Sequence, residues 1–281
     1  MSQNHSETLV NNVKRVCDSI PNPSFGRDSH GQQVAPGRHP ASACKTKTDK
    51  TSKIATWNVR TLHQKGKLEN VVKEMKRMKL NILRLAEVRR KGVGSMKLGS
   101  KTLISSGGHT HERGEGILFD VTTAKSLGSW CPFSDRVVVA KLITKPLNLG
   151  IIQVYAPTSD IEDLEVNKFY EKTEKAKAYL KSQDTIIVMG DFNAKVGDER
   201  IEDVIGPSGI GTVNERGSRL IEWCQVNDFT ITNTWYQNHP RRQWTWKSPG
   251  NRSRNKIDYI LIQKRFRNAV KTSKSLPGSR L

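Results

Sequence analysis

Six polar residues stand at the ends of apolar runs: Asn58, Glu87, Tyr155, Asp191, Asn193 and Asp258. The pattern is plainest in Thr185-Ile186-Ile187-Val188-Met189-Gly190-Asp191-Phe192-Asn193-Ala194. Four β-branched residues in succession read as a buried strand, and Gly190 closes the run. Asp191 and Asn193 then follow at i and i+2, on one face of an extended backbone. A carboxylate takes a proton from water or binds a hard cation, and an amide donates to an oxyanion. The same two residues also suit an Asx turn. This segment by itself supports both readings.

Together the six residues are an inventory for metal-assisted hydrolysis of a phosphate ester. Glu87 is a hard oxygen ligand for Mg²⁺. Such an ion neutralises phosphate charge and steadies the leaving oxygen. Asp191 is placed to orient and deprotonate water. Asn193, Asn58 and Tyr155 supply donors for phosphate oxygens as charge develops.

The elements that must position these residues can be read in order. Ile54–Val59 reads as a strand. Leu68, Val71, Val72, Met75 and Met78 follow helical spacing, and Ile82–Glu87 is a second strand. Parallel packing of this strand–helix–strand unit brings Asn58 and Glu87 to one sheet edge. Residues 92–150 alternate strands and turns, a meander without long helices. Val154-Tyr155-Ala156-Pro157-Thr158 closes it, and Ser159 with Glu162 suggests a capping box for a helix running to about Lys181. Gly217–Gln225 reads as a short amphipathic helix. Thr230–Thr232, Gln243–Trp246 and Lys256–Ile262 read as strands. Trp244 and Trp246 are expected to pack in the core rather than to stack on bases.

The chain has 281 residues and a formal charge of +20. Residues 1–52 carry seven Lys or Arg and four Asp or Glu, so +17 falls on 53–281. A basic folded surface suits a polyanion, most directly nucleic acid. There is no 18-residue apolar run, so no membrane-spanning segment is expected, and the first residues are too polar for a signal peptide. Cys17, Cys44, Cys131 and Cys224 lack metal-ligand spacing and read as free thiols in a reducing compartment. Residues 1–52, rich in Ser, Asn, Gln, Lys, Thr, Pro and Gly, are expected to be disordered.

Five motifs carry a resemblance: Trp57-Asn58-Val59-Arg60, Ala86-Glu87-Val88-Arg89, Val154-Tyr155-Ala156-Pro157-Thr158, Gly190-Asp191-Phe192-Asn193-Ala194 and Lys256-Ile257-Asp258-Tyr259. Their types and order resemble the endonuclease/exonuclease/phosphatase superfamily over about residues 53–276. Within it the chain is most similar to the apurinic/apyrimidinic-like endonuclease domains of non-LTR retrotransposons and to domesticated or genomic copies of them. The resemblance implies an α/β (α+β) fold, a four-layer, DNase I-like sandwich of two mixed β-sheets flanked by helices. It implies that Glu87 binds Mg²⁺ or Mn²⁺. Asn58 is then expected to hold Asp191, which positions the attacking water together with Asn193. Tyr155 is expected to contact the scissile phosphate, and Asp258 to orient a catalytic histidine. The partner implied is double-stranded DNA, abasic duplex included, met by a nuclear monomer.

The resemblance also implies a closing Ser-Asp-His followed by one more core strand. Residues 275–281 read Ser-Leu-Pro-Gly-Ser-Arg-Leu, and no histidine stands in that context. The terminal strand is therefore expected to be missing, with 277–281 a truncated tail, and Asp258 is expected to lack its partner. Arg84 and Glu115 stand where the family is small or apolar, and Arg90 where an aromatic residue is usual. An unpaired buried charge costs several kcal/mol. Two functions follow as expectations. One is a Mg²⁺-dependent phosphodiesterase that nicks DNA. The other is a catalytically impaired, retrotransposon-derived remnant that binds nucleic acid without cutting it.

Overall fold

Alternation along the strands builds two sheets that share one interior. In the computed structural model, which describes residues 8–14, 51–59, 61–62, 66–89, 92–107, 114–248, 250 and 252–276, the chain begins with β1 (Thr8–Lys14), β2 (Thr51–Asn58), α1 (Lys67–Arg77) and β3 (Ile82–Ala86). It continues through β4 (Gly94–Leu98), β5 (Lys101–Ser106), β6 (Glu115–Phe119), α2 (Val121–Ala124), β7 (Leu127–Ser134), β8 (Val137–Leu142) and β9 (Leu149–Tyr155). Next come α3 (Asp163–Ala178), β10 (Thr185–Asp191), β11 (Val196–Gly197), β12 (Ile210–Val213) and α4 (Glu215–Val226). The last elements are β13 (Phe229–Ile231), β14 (Trp246–Lys247), β15 (Arg254–Asn255), β16 (Asp258–Gln263) and β17 (Val270–Leu276).

One sheet has the order β17-β1-β2-β3-β6-β5-β4, the other β13-β16-β10-β9-β8-β7. Each contains a single parallel pair, β2 with β3 and β9 with β10, each joined through a helix. Antiparallel pairs complete both sheets, so both are mixed.

The period of two decides which side chains meet. Ile54, Ile82, Ile117 and Phe119 of the first sheet pack against Val138, Ile151, Ile187, Met189, Ile260 and Ile262 of the second. The alternate residues Ala55, Trp57, Leu83 and Leu85 face outward and meet Val71 and Met75 of α1. On the other side Val139, Ile152, Val154, Val188 and Leu261 meet Phe169 of α3 and Leu220 and Trp223 of α4. The result is the four-layer sandwich, helix–sheet–sheet–helix.

Three expectations are corrected. Thr8–Lys14, inside the segment expected to be disordered, is a strand paired with β2 on one side and β17 on the other. Backbone pairing along both edges satisfies its N–H and C=O groups, which a composition argument does not see. The rest of 1–50 and the tail 277–281 lie outside the described residues. The capping box at Ser159 does not form: α3 starts at Asp163 with Glu162 as its N-cap, and Asp163 and Glu165 supply first-turn negative charge. The segment 243–246 is a turn and bend that follows the 3₁₀ helix Pro240–Arg242 and leads into the two-residue β14, and Trp244 and Trp246 are half-buried outside the three core clusters. Arg254 lies 4.9 Å over the Trp244 ring, so this indole has a cationic neighbour in place of a core contact.

Candidate active site

The inter-sheet interior is apolar at one end and polar at the other. On β2 the inward series is Ile54, Thr56, Asn58. On β3 it is Ile82, Arg84. On β9 it is Ile151, Gln153, Tyr155, and on β10 it is Ile187, Met189, Asp191. The antiparallel strands β6 and β16 run the other way and begin at this end with Glu115 and Asp258. The C-terminal ends of the two parallel pairs and the N-terminal ends of β6 and β16 thus form one polar rim.

At the rim, Asp191 faces Asp258 across the β10–β16 ladder and Tyr155 across the β9–β10 ladder. Gly190 makes this approach possible, because a Cβ there would sit on the carbonyl oxygen of Val154. Asp191 is 7 % exposed and Asp258 8 %. Asp191 Oδ1 accepts from the Asn193 backbone N–H at 2.9 Å, and Asn193 Nδ2 donates to Ala156 O at 2.8 Å. The Asx turn therefore exists, and it aims the Asp191 carboxylate. Asn193 (φ 47°), Glu87 (φ 53°) and Arg89 (φ 53°) all hold the left-handed backbone that non-glycine residues rarely adopt.

Asn58 reaches the residue expected to bind the metal. Its Nδ2 donates to Glu87 Oε1 at 2.7 Å, so its amide steadies the expected metal ligand. Arg89 Nη2 lies 2.9 Å from Glu87 Oε2. Tyr155 has the Arg136 guanidinium 5.4 Å over its ring, and Arg136 Nη1 donates to the Tyr155 carbonyl oxygen at 3.2 Å.

Burial governs the electrostatics. It pushes the Asp191 carboxyl up to about 6, against Arg84 and the Asn193 N–H, which pull it down. Burial raises Asp258 well above the usual carboxylate range, the neighbouring Asp191 adds to the rise, and Arg84 opposes it. Tyr155 is pushed up to about 12 by burial and by the nearby carboxylates of Asp191 and Glu87. Lys256 falls to about 8 because it is buried. Its Nζ donates to the carbonyls of Ser208 and Asn233, which ties two loops beneath β16.

The expectation of unpaired charge at Arg84 and Glu115 is overturned. Arg84 Nε and Nη2 donate to Glu115 Oε2 at 3.1 and 2.9 Å, and Gln153 Nε2 donates to the same oxygen at 2.6 Å. Arg84 Nη1 lies 3.5 Å from Asp258 Oδ1. The charged partner of Asp258 among the described residues is thus an arginine. His239, the one histidine among them, caps an exposed 3₁₀ turn with its Nδ1.

Sequence reasoning missed Gln153, Thr245 and Arg136. Gln153 is two residues before Tyr155, and the i, i+2 rule that selected Asp191 and Asn193 selects it as well. Thr245 Oγ1 accepts from the backbone N–H groups of Ile257 and Asp258. No local signal marks that contact.

The divalent ion implied by the resemblance can be tested against these donors. Among the described residues no group of three or more His, Cys, Asp or Glu could hold an ion. Mg²⁺ commonly takes one or two carboxylates and completes its shell with water and phosphate oxygens. Glu87, 20 % exposed at the rim and oriented by Asn58, fits that kind of site.

Two mixed sheets packed face to face between helices, with carboxyl and amide groups gathered at the strand ends, define a recognisable class of α/β protein. The sequence model of the Endonuclease/Exonuclease/phosphatase family matches residues 55–279, and this chain belongs to that family. It is 37% identical over 227 residues to craniofacial development protein 2 of Bos taurus, a match covering 80% of this chain and 38% of that protein. The chain thus spans about two-fifths of that relative's length. Among solved structures it resembles the AP endonuclease LMAP from Leishmania major, with TM-score 0.58 and 14% identity over 76% of this chain and 80% of that one. It also resembles the 3′ phosphatase NExo from Neisseria bound to product DNA hairpin, with TM-score 0.50 and 17% identity over 75% and 86%. At these identities the structural likeness is one of fold.

Proposed function

We propose that this chain is a divalent-metal-dependent phosphodiesterase that nicks double-stranded DNA, abasic duplex included. The observation that carries the reading is the rim itself: Asp191, Asp258, Tyr155 and Asn58 converge on one edge from four strands, with Glu87 just past the end of β3. Family membership and the net charge of +20 support it. So does the DNA carried by the Neisseria 3′ phosphatase named above.

In this reading Asp191 accepts the proton of a water that attacks phosphorus. Its carboxyl lies near 6, so it is ionised at neutral pH and still basic enough to take a proton. Asn193 fixes the carboxylate through its backbone N–H. Tyr155 stays protonated at neutral pH and donates its hydroxyl proton to a phosphate oxygen. Glu87 holds Mg²⁺ or Mn²⁺, and Asn58 orients Glu87. The ion supplies charge neutralisation at the phosphate when bound. The same proposal carries a nuclear site of action, a monomeric state and a retrotransposon-related ancestry.

A second reading, binding without cutting, has a specific observation in its favour. Asp258 pairs with Arg84 among the described residues, and both Glu87 oxygens already carry side-chain donors. One experiment separates the two. Supercoiled plasmid and an abasic duplex are incubated with the protein in Mg²⁺ or chelator, beside Asp191→Ala. Metal-dependent nicking lost in the variant supports the enzyme. Salt-sensitive binding with no nicking supports the binding protein.

A further inference from the structure

The polar rim rests on a buried charge that the resemblance does not account for. Arg84 is 0 % exposed and lies one inward position below the rim on β3. Its guanidinium meets three strands besides its own. Nε and Nη2 hold Glu115 of β6, and Nη2 also donates to the Val154 carbonyl of β9 at 3.0 Å. Nη1 points at Asp258 of β16, 3.5 Å away, and makes no hydrogen bond among the described residues. Val154 is the residue whose carbonyl Gly190 must accommodate, next to both Tyr155 and Asp191. One planar cation therefore ties the first sheet to the second directly beneath the candidate site.

The charge count makes this position consequential. Asp191 on β10, Asp258 on β16 and Glu115 on β6 are three buried carboxyls facing one another, with Glu87 beyond β3 and the Tyr155 hydroxyl on β9 nearby. Arg84 is the buried guanidinium among them, and it draws all three towards the ionised form. The Lys256 ammonium is turned to the carbonyls of Ser208 and Asn233. Without Arg84, adjacent carboxyls at positions 191 and 258 repel and share protons.

We propose that Arg84 is a positioning residue of the candidate site, a guanidinium that from beneath fixes Asp258, the cross-strand neighbour of Asp191. Glu115, itself held by Gln153, holds that guanidinium in place. The proposal rests on the phosphodiesterase reading for its catalytic consequence. Its electrostatic content stands apart from turnover.

The test uses the full chain and the double variant Arg84→Met/Glu115→Met, which removes both buried charges together. Such paired replacement is usually tolerated, whereas removing one partner is not. Carboxyl titration of Asp191 and Asp258 is followed by NMR on protein labelled with ¹³C at the aspartate carboxyls. Plasmid nicking and duplex binding are measured beside it. The expected result is titration of both carboxyls at higher pH than in the native chain. Nicking should fall by about 10²–10³ in kcat, while duplex affinity changes by less than about threefold. Unmoved titrations overturn the proposal, whatever the nicking does. If the native chain itself does not nick, the phosphodiesterase reading fails and the titration alone decides the role of Arg84. If the double variant does not fold, Arg84→Lys serves instead. It keeps the charge but cannot span Glu115, Val154 and Asp258. A shifted Asp258 titration in that variant supports the proposal, and an unshifted one overturns it.

Discussion

Asp191 and Asp258 are direct cross-strand neighbours on the β10–β16 ladder, and both carboxyls point into the space between the sheets. Like charges in that arrangement are destabilising. The pair is held together by Arg84 and by flanking backbone bonds, Phe192 N–H to Ile257 O at 2.9 Å and Ala156 N–H to Asp191 O at 2.8 Å.

The first prediction concerns pH. If Asp191 takes the proton of the attacking water, nicking should rise about tenfold per pH unit below 6 and level off above it. Stability moves the other way. The folded value near 6 exceeds the ordinary 3.8, so the favourable contribution of the protonated carboxyl is present below 3.8 and lost as pH rises through 6. Ionising Asp191 in place costs on the order of 3 kcal/mol at ~1.4 kcal/mol per pH unit. Asp191→Asn should therefore raise Tm at pH 8 and leave it nearly unchanged at pH 3, while abolishing nicking. Equal shifts at both pH values would contradict the assignment.

Gly190→Ala tests the close approach of β9 and β10. The new methyl group meets the Val154 carbonyl oxygen, and a backbone atom cannot swing aside as a side chain can. Overpacking of this kind costs ~1–3 kcal/mol or more. A lowered denaturation midpoint is expected, together with loss of nicking out of proportion to it, because Tyr155 and Asp191 flank the contact. Native stability in the variant would show that the strands stand further apart.

Asn58→Ala removes the amide that donates to Glu87 Oε1. Loss of a group that orients a metal ligand typically costs 10–100-fold in affinity. Titration with Mn²⁺ in the presence of duplex DNA should show a weakening of about that size, with Tm nearly unchanged. Wild-type Mn²⁺ affinity in the variant would dissociate Asn58 from the metal.

Val10→Pro probes β1. Both edges of this strand are paired, so the lost N–H removes a ladder bond whichever way it points. A proline inside a sheet should cost ~3 kcal/mol or more. Hydrogen exchange at Val270–Leu276 should speed up most, because β1 is the neighbour that attaches β17 to the sheet. Unchanged protection of β17 would argue against this pairing.

Much of the site was legible from local chemistry. Asn58, Tyr155 and Asp191 each close an apolar run, whereas Asn193 lies past the end of β10 with a left-handed backbone, where period-two alternation does not apply. The two strand–helix–strand units followed from helical spacing between short apolar runs, and they brought those ends to one edge. Of the expectations that failed, one did so for want of a distant partner and another locally. Thr8–Lys14 has little strand character of its own, yet two neighbours complete its hydrogen bonds. Ser159 and Glu162 had the right spacing for a cap, but the chain turns at Thr158–Ile161 before the helix begins.

Arg84 shows the division most clearly. In the sequence it is a charge inside an apolar strand, and Glu115 is another, 31 residues away, and each alone reads as a fault. The chain by itself determined which residue types stand at the strand ends, because alternation and run length are local properties of an extended backbone. Only the tertiary structure decided that Arg84, Glu115, Gln153 and Asp258 meet, since they come from four strands in two sheets. The cost of a buried charge depends on what lies within a few ångströms, and that distance is set by sheet order and register.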